Sequence, residues 1–296
     1  MSDKSWISEI PQLDRKELRD FKKLLDGLFR DFSREYGDAI QSFFDPLLAT
    51  LIWFEKLLLS TPWWLVIAVV AGFAYAASRS FKLTISVIVA FLVIGYFGMW
   101  EDTMRTMSMI IVSTLLAIFI GVPIGVAMAR SNRIQSIVTP ILDVMQTMPA
   151  FVYLIPVVML LGIGKVLGVI AVIIYAIPPV IRLTNLGIRL VDKEVLEAAT
   201  AYGASPIQRL FGVQIPLAMP TIMAGINQTI MMALAMVVIA SMIGVKGLGQ
   251  PVLQAISNQY FTQGLLNGLA IVALAIIFDR ISQSYAKRTL QNFGDQ

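Results

Sequence analysis

The 296-residue sequence contains no cysteine and no histidine. That removes thiol catalysis, disulfides, most zinc sites and imidazole acid–base chemistry. It does not fix a redox compartment, because a chain without cysteine suits either side of a membrane. Charge is also scarce, at 14% of residues, against about 25% in an average soluble domain. No G-x-x-x-x-G-K-[ST] segment occurs, so the chain does not hydrolyse nucleotides through a phosphate loop of that kind. The first 45 residues have no apolar core of a signal peptide. No internal repeat stands out. An inverted repeat would show as matched interrupted helices in two halves, whereas the prolines cluster in the fourth and fifth apolar runs.

What is abundant is hydrophobicity: 57% of residues, with a mean hydropathy of +0.76. Several apolar runs are each long enough to cross a bilayer. They are continuous rather than alternating, which argues against a β-barrel. The reading is an all-α polytopic membrane protein with about seven spans, near 62–78, 83–100, 105–129, 136–162, 166–188, 216–243 and 265–283.

Before them lies a segment with eight Lys/Arg and ten Asp/Glu in residues 1–45. Leu18, Phe21, Leu24, Leu25, Leu28 and Phe32 recur at helical spacing in it. A second amphipathic stretch runs through Ile40, Phe43, Phe44, Leu47, Leu48, Leu51, Phe54 and Leu58. Its apolar run is short and is broken by Glu55 and Lys56, so it reads as an interfacial helix, with Trp53, Trp63 and Trp64 at headgroup level.

Orientation follows from Lys/Arg asymmetry. One set of loops and helix ends holds Arg79, Lys82, Arg130, Arg133, Arg182, Arg189, Lys193, Arg209, Arg280, Lys287 and Arg288. The other holds Arg105, Lys165 and Lys246, eleven against three. The first set is expected inside, with the C-terminus. Seven spans then put the N-terminus outside; a crossing by residues 46–60 would put it inside.

Between the fifth and sixth runs lies a polar segment, E-A-A-T-A-Y-G-A-S-P-I-Q-R-L-F-G-V-Q-I-P, from Glu197 to Pro216. Asp192 is positioned to cap a helix through Glu194, Leu196, Ala198 and Ala199, and Gly203 to end it. Ser205-Pro206-Ile207-Gln208 has the form of a capping box with proline at the first helical position. Gly212 is expected to end this second helix, and Pro216 to make Ile215 extended and open the next span. The bland alternative is an ordinary solvated loop, but most loops are shorter, about 4–6 residues. The sharper reading is a rigid lever. Ala198, Ala199 and Gly203 let a partner approach closely, while Glu197 and Arg209 supply charges at its rim.

The spacing of this segment (E-A-A, three residues, Gly203, nine residues, Val213-x-Ile215-Pro216) resembles the cytoplasmic coupling loop of ABC importer permeases. The family consensus ends Ile-x-Leu-Pro, so both departures are conservative. The resemblance widens elsewhere. L-D-V-M-Q-T-M-P-A-F-V-Y-L (Leu142–Leu154), A-I-P-P-V-I-R-L-T (Ala176–Thr184), A-G-I-N-Q-T (Ala224–Thr229) and V-V-I-A-S-M-I-G-V-K-G-L-G (Val237–Gly249) are similar to glycine betaine/proline betaine permease subunits. This covers about residues 80–285.

The resemblance implies a type I ABC importer transmembrane domain over 101–286, with its coupling loop at 192–216. An N-terminal scaffold at 1–60, accessory helices at 61–100 and a cytoplasmic tail at 287–296 complete the chain. It further implies a homodimer of this permease in the bacterial inner membrane, two ATP-binding subunits inside and a solute-binding protein outside. ATP and Mg would sit on the partner ATPase, with no cofactor or metal on this chain and no nucleic acid. The coupling residues carried over are Glu197, Ala198, Ala199, Gly203, Ser205, Arg209 and Pro216. The cargo implied is glycine betaine, proline betaine, choline or a related osmolyte.

Other residues admit two readings each. Asp143 lies in the fourth run with Gln146 one turn on. It either attracts a passing cationic headgroup or bonds neighbouring helices. Asn227, Gln228 and Ser241 in the sixth run, and Asn185 in the fifth, line a pathway or bond between helices. Phe151, Tyr153 and Tyr175 offer cation–π faces or simply pack. Ala117, Gly121, Gly125 and Ala129 form a small-residue stripe suited to close helix packing. Pro123, Pro149, Pro156, Pro178 and Pro179 interrupt helices. Gly244, Gly247 and Gly249 suit a flexible outer gate or docking loop.

Three rivals are weighed against this reading. An ion-coupled secondary transporter needs intramembrane carboxylates in paired repeats. A membrane enzyme needs a nucleophile or an acid–base constellation at one depth. A structural membrane subunit has no use for the coupling loop.

Overall fold

The computed structural model describes residues 13–161 and 164–294, with side chains described through 160 and from 164 to 285. The described residues are almost entirely helical. Helix α1, Arg15–Ser60, is one unbroken helix of 46 residues, started by Asp14, whose side chain accepts from the Arg15 N–H. The two amphipathic stretches expected from sequence are therefore halves of one element. Pro46 sits inside it, and the Thr50 hydroxyl donates to the Pro46 carbonyl one turn on. The N-terminal residues of the scaffold, 1–12, lie outside the described residues.

At Thr61–Pro62 the chain turns by 111° into α2, Trp63–Ser78. Thr61 is extended, as the residue before proline prefers. Arg79, at φ 51°, links α2 to α3, Phe81–Tyr96, whose cap Ser80 accepts from the Leu83 N–H. Sixteen residues rise only about 24 Å, so α3 is apolar but shorter than a straight crossing of a bilayer core of about 30 Å.

The long elements follow. They are α4 (Trp100–Arg130), α5 (Asn132–Thr147), α6 (Ala150–Leu161), α7 (Lys165–Ala176), α8 (Pro178–Arg189), α9 (Lys193–Ala201), α10 (Pro206–Arg209), α11 (Ile215–Ala240), α12 (Gly249–Asn258) and α13 (Phe261–Gly294). Among the described residues four stretches are long and apolar enough to span unaided: Trp100–Arg130, Lys165–Arg189, Pro206–Ile243 and Phe261–Tyr285. The bent pairs α1–α2 and α5–α6 raise the count to six. The fourth expected span is thus not a straight helix. Met148 is extended before Pro149, and α6 leaves α5 at 103°. Helix α12, in the segment read as loop, was not expected.

Small residues hold α4, α8 and α11 together. A Cβ on Gly121 would lie 2.4 Å from Val180 Cγ1, and one on Gly125 2.7 Å from the Ile181 carbonyl oxygen. A Cβ on Gly187 would meet Thr221 Cβ at 2.9 Å, and one on Gly225 would meet Val180 Cα at 3.1 Å. The expected stripe is a packing stripe, with Ala117 and Gly125 buried on α4.

An ion cluster around the buried Glu55 joins the first half of the chain to this bundle. Glu55, 8% exposed, accepts two bonds from Lys165 Nζ, at 2.8 and 2.7 Å. Arg105 Nε lies 3.8 Å from Glu55 Oε1, and Arg105 also pairs with Glu101 and Asp102. Deeper along α4, Phe43, Phe44 and Leu47 share a cavity of about 930 Å³ with Leu116, Phe119 and Ile120. The Glu55–Arg105 pair at one end and the cavity lined by both Phe43 and Phe119 further along set the C-terminal half of α1 antiparallel to α4.

Candidate functional site: the polar loop and the charged groups above it

The loop is built as its capping residues dictate. Asp192 Oδ1 accepts from the Glu194 N–H at 2.9 Å and starts α9. The helix ends at Gly203, φ 81°, where the Gly203 N–H donates to Thr200 and the Ala204 N–H to Ala199. Glycine supplies that left-handed turn without a Cβ penalty. Both bonds of the capping box form. Gln208 Oε1 accepts from the Ser205 N–H at 2.8 Å, and Ser205 Oγ from the Gln208 N–H at 3.3 Å. Arg209 donates to Thr200 Oγ1 at 3.1 Å and ties α10 back onto α9.

Glu197, Ala198, Gly203 and Ser205 are exposed, and Ala199 and Arg209 half-buried. The apex of the turn is Tyr202, 94% exposed, and Ile207 at 62% and Phe211 at 65% are exposed as well. These three apolar side chains were not singled out from the sequence, although Y-G and P-I at a double-helix turn are legible there. Lys193, Leu196, Glu197, Thr200 and Arg209 line a shallow hollow of about 420 Å³. Behind it, Leu196 packs against a cluster formed by Ile188, Val191, Leu210, Ala218 and Ile222, which ties the loop to the base of α8 and α11 through shared packing.

Two details depart from expectation. Gly212 does not end the second helix, and Ile215 is helical (φ −64°, ψ −47°) rather than extended. Residues Leu210–Gln214 form a π turn that runs straight into α11. Pro216 has no N–H to donate and its ring would crowd the Gly212 carbonyl in an ordinary α turn. The wider turn accommodates it without breaking the helix.

The residues weighed for a pathway do not gather at one place. Asp143, on α5, pairs with Arg182 on α8, with side chains 56% and 35% exposed. Gln146 is exposed on the same face of α5. Asn227 on α11 donates to Asp279 Oδ1 on α13 at 2.9 Å, and Gln283 donates to the same oxygen at 2.7 Å. Gln228 is exposed. The Ser241 hydroxyl donates to the Val238 carbonyl of its own helix. Asn185 Oδ1 accepts from Arg189 Nε at 3.0 Å, while Arg189 also donates to the Met128 carbonyl at 2.8 Å.

The aromatic residues form no cage. Tyr153 is buried, donates to the Met145 carbonyl across the α5–α6 bend and meets Tyr175 edge-on at 5.9 Å. Phe151 stands apart, 52% exposed.

Sequence reasoning weighed Asp143 as the acid within a span. It reads Glu55 only as a break in an apolar run and does not single out Asp279, inside the last span. Their acidic letters within apolar runs were the available signal. Arg182 was grouped with arginines at helix ends, which hid it as a partner.

The Gly244–Gly249 segment is pinned rather than loose. Gly244 turns the chain at φ 85° and is exposed, but Val245, Gly247, Leu248 and Gly249 are buried. Thr106 Oγ1 accepts from the Leu248 N–H at 2.8 Å. A Cβ on Gly247 would lie 2.6 Å from that same Thr106 oxygen, and one on Gly249 2.9 Å from Val238 Cα.

Residues 121–291 match the family of binding-protein-dependent transport system inner membrane components. The chain belongs to that family. Membership of a family of binding-protein-dependent transport components does not favour the ion-coupled alternative.

Relatives sharpen the placement. The glycine betaine/proline betaine transport system permease protein ProW of Escherichia coli is 50% identical over 234 residues, 79% of this chain and 66% of that protein. The chain thus spans just under two thirds of that relative's length. The glycine betaine/carnitine transport permease protein GbuB of Listeria monocytogenes is 45% identical over 268 residues, 90% of this chain and 94% of that protein. The glycine betaine transport system permease protein OpuAB of Bacillus subtilis is 49% identical over 197 residues, 67% of this chain and 70% of that protein. In fold, the chain is similar to one from the MetNI methionine ABC transporter in an inward-facing crystal form. The TM-score is 0.57 at 20% identity, covering 62% of this chain and 93% of that one.

Proposed function

We propose that this chain is the membrane-spanning subunit of an ATP-driven importer for glycine betaine or a closely related osmolyte. A separate ATPase, carrying ATP and Mg, docks on residues 192–216 from the cytoplasm. Two copies of the chain enclose the pathway, and a solute-binding protein delivers cargo from outside. The observation that carries the reading is the loop itself. It is a pair of short helices with an exposed apex at Tyr202, and its Leu196 packs against an apolar cluster that includes Ile188 of α8 and Ile222 of α11. A partner that moves α9 therefore moves two membrane helices.

The substrate class is supported by the relatives' names. The cytoplasmic side of the loop is supported by the Lys/Arg asymmetry, ten against three once Arg182, seven residues in from the end of α8, is set aside. On the same reading the C-terminal half of α1, antiparallel to α4, is a first crossing, and the charged N-terminal tail lies inside. The domain division of the sequence reading stands with it, with 101–286 as the transporting unit.

Reconstitution tests this. The chain, its ATPase and its binding protein are placed in vesicles, and uptake of labelled glycine betaine, proline betaine, choline and trimethylamine N-oxide is measured. ATP-dependent betaine uptake that vanishes without the ATPase is the expected result. Uptake driven by an ion gradient without ATP, or ATP-driven uptake of none of the four, overturns the reading.

A further inference from the structure

We propose that Asp143 and Arg182 form a recognition site for a zwitterion within the pathway, the carboxylate facing the solute's cationic end and the guanidinium its anionic end. This rests on the importer reading above and goes on to assign the charge type that the membrane subunit itself accepts.

The placement of the pair carries the argument. Arg182 lies seven residues before Arg189 on α8, about 10 Å in from that end. The end is marked by the Arg189 bond to Met128, two residues before α4 finishes. Asp143 lies eleven residues into α5. Arg182 thus lies within the apolar Lys165–Arg189 stretch and Asp143 within the first limb of the bent α5–α6 pair, yet their side chains are 35% and 56% exposed. A charge pair turned toward hydrocarbon is costly, so that face meets water or protein instead. Gln146, exposed one turn along from Asp143, continues the polar face.

The chemistry of the pair selects the ligand class. A lone carboxylate attracts any cation, and a lone guanidinium any anion. Together they are neutral, and they offer one charge of each sign at adjacent points. The bond to Asp143 uses one terminal guanidinium nitrogen, and Nε has no acceptor. Guanidinium presents five donors in a planar fork, so one bond leaves donors to engage a second carboxylate. A molecule whose ammonium and carboxylate are one methylene apart places a charge against each member and leaves neither unpaired. A monovalent cation satisfies Asp143 only by leaving Arg182 without its counter-ion.

The test keeps the external binding protein out of the recognition step. Vesicles with the full complex take up labelled glycine betaine, driven by lumenal ATP. The lumen is preloaded, at matched osmolality, with unlabelled glycine betaine or with choline as competitors from the pathway's inner side. Lumenal betaine should inhibit the parent at about tenfold lower concentration than choline. Arg182→Gln should erase or reverse that ratio. Asp143→Asn should abolish choline inhibition. The exchanged pair, Asp143→Arg with Arg182→Asp, should recover the preference for betaine.

An equal ratio for the two solutes in the parent, or a ratio unchanged in both single variants, overturns the proposal. So does a fall in uptake without a change in ratio, which is the behaviour of a structural brace. If single variants fail to assemble, the exchanged pair decides: assembly with no betaine preference overturns the proposal. Failure of the importer reading itself is distinguishable, because the parent would then show no ATP-driven betaine uptake.

Discussion

Adding one methyl group at Gly125 should loosen the contact between α4 and α8, and the size of the effect can be worked from its neighbours. Inside a helix, replacing glycine by alanine gains roughly 0.5–1 kcal/mol of backbone entropy and propensity. Against this stands overpacking, typically about 1–3 kcal/mol. At Gly121 the new Cβ meets Val180 Cγ1 at 2.4 Å and Ile177 Cγ1 at 3.2 Å. These are side-chain atoms, although the β-branched groups have few rotamers to escape into. At Gly125 it meets Thr184 Cβ at 2.6 Å and the Ile181 carbonyl oxygen at 2.7 Å. Neither atom can yield without moving α8 itself, and the Arg189 bond to Met128 at 2.8 Å would stretch with it. Gly125→Ala should therefore lose about 2 kcal/mol net and Gly121→Ala about 1 kcal/mol or less. Gly72, exposed on α2 with nothing within 4 Å of a built Cβ, is the control; Gly72→Ala should gain roughly 0.5 kcal/mol. Denaturant unfolding of the purified chain in micelles, followed by tryptophan fluorescence, measures all three. Gly125→Ala as stable as the parent, or Gly121→Ala the more damaged of the two, refutes the packing argument.

Two further outcomes follow from named contacts. Glu55→Gln should destabilise the attachment of α1 by about 1–2 kcal/mol, less than a fully buried pair because Lys165 remains 34% exposed. A double-mutant cycle with Lys165→Gln, read by unfolding, should show coupling; strict additivity would refute a direct ion pair. Gly203→Asp should cost the isolated chain only about 1 kcal/mol, since φ 81° is strained for a side chain but nothing lies within 4 Å. The same change should weaken co-purification with the ATPase at least about tenfold; retained association and uptake would sink the docking assignment.

Features encoded within one or two helical turns were legible in the sequence. Asp192, Gly203 and the Ser205–Gln208 box are local hydrogen-bonding devices, and all form. The apolar runs of α4, α7–α8, α11 and α13 announce themselves by composition. What escaped was non-local. Glu55 looked like a break in an apolar run because its partners, Arg105 and Lys165, are 50 and 110 residues away. Asp279 and Asn227 are separated by 52 positions. The continuity of α1 through Pro46 depends on packing against α4 that no local signal reports. Pro149 gave warning of an interruption but not of its 103° angle, which is fixed by the Tyr153 bond across the bend and by what α6 packs on.

These misses bear on how a loop movement reaches the charged groups above it. Leu196 packs against the cluster that holds Ile188 of α8 and Ile222 of α11. Arg182 lies about two turns above Ile188 on that same α8. Because Gly121 and Gly125 seat α8 directly on α4, α8 does not slide alone; α4 goes with it. The remaining partner of Arg182 is different. Asp143 rides on α5, which joins α6 through an extended Met148 and a proline rather than a continuous hydrogen-bonded turn. Coupling needs an element with two arrangements, not merely a chain of contacts. Of the two sides of the ion pair, the α4–α8 side is rigid and the α5–α6 side carries the joint. On the proposed reading a push on α9 would be expressed along the seam where α5 meets α4 and α8, a seam that holds Leu142 against Met128 and Ile181 as well as the Arg182–Asp143 pair.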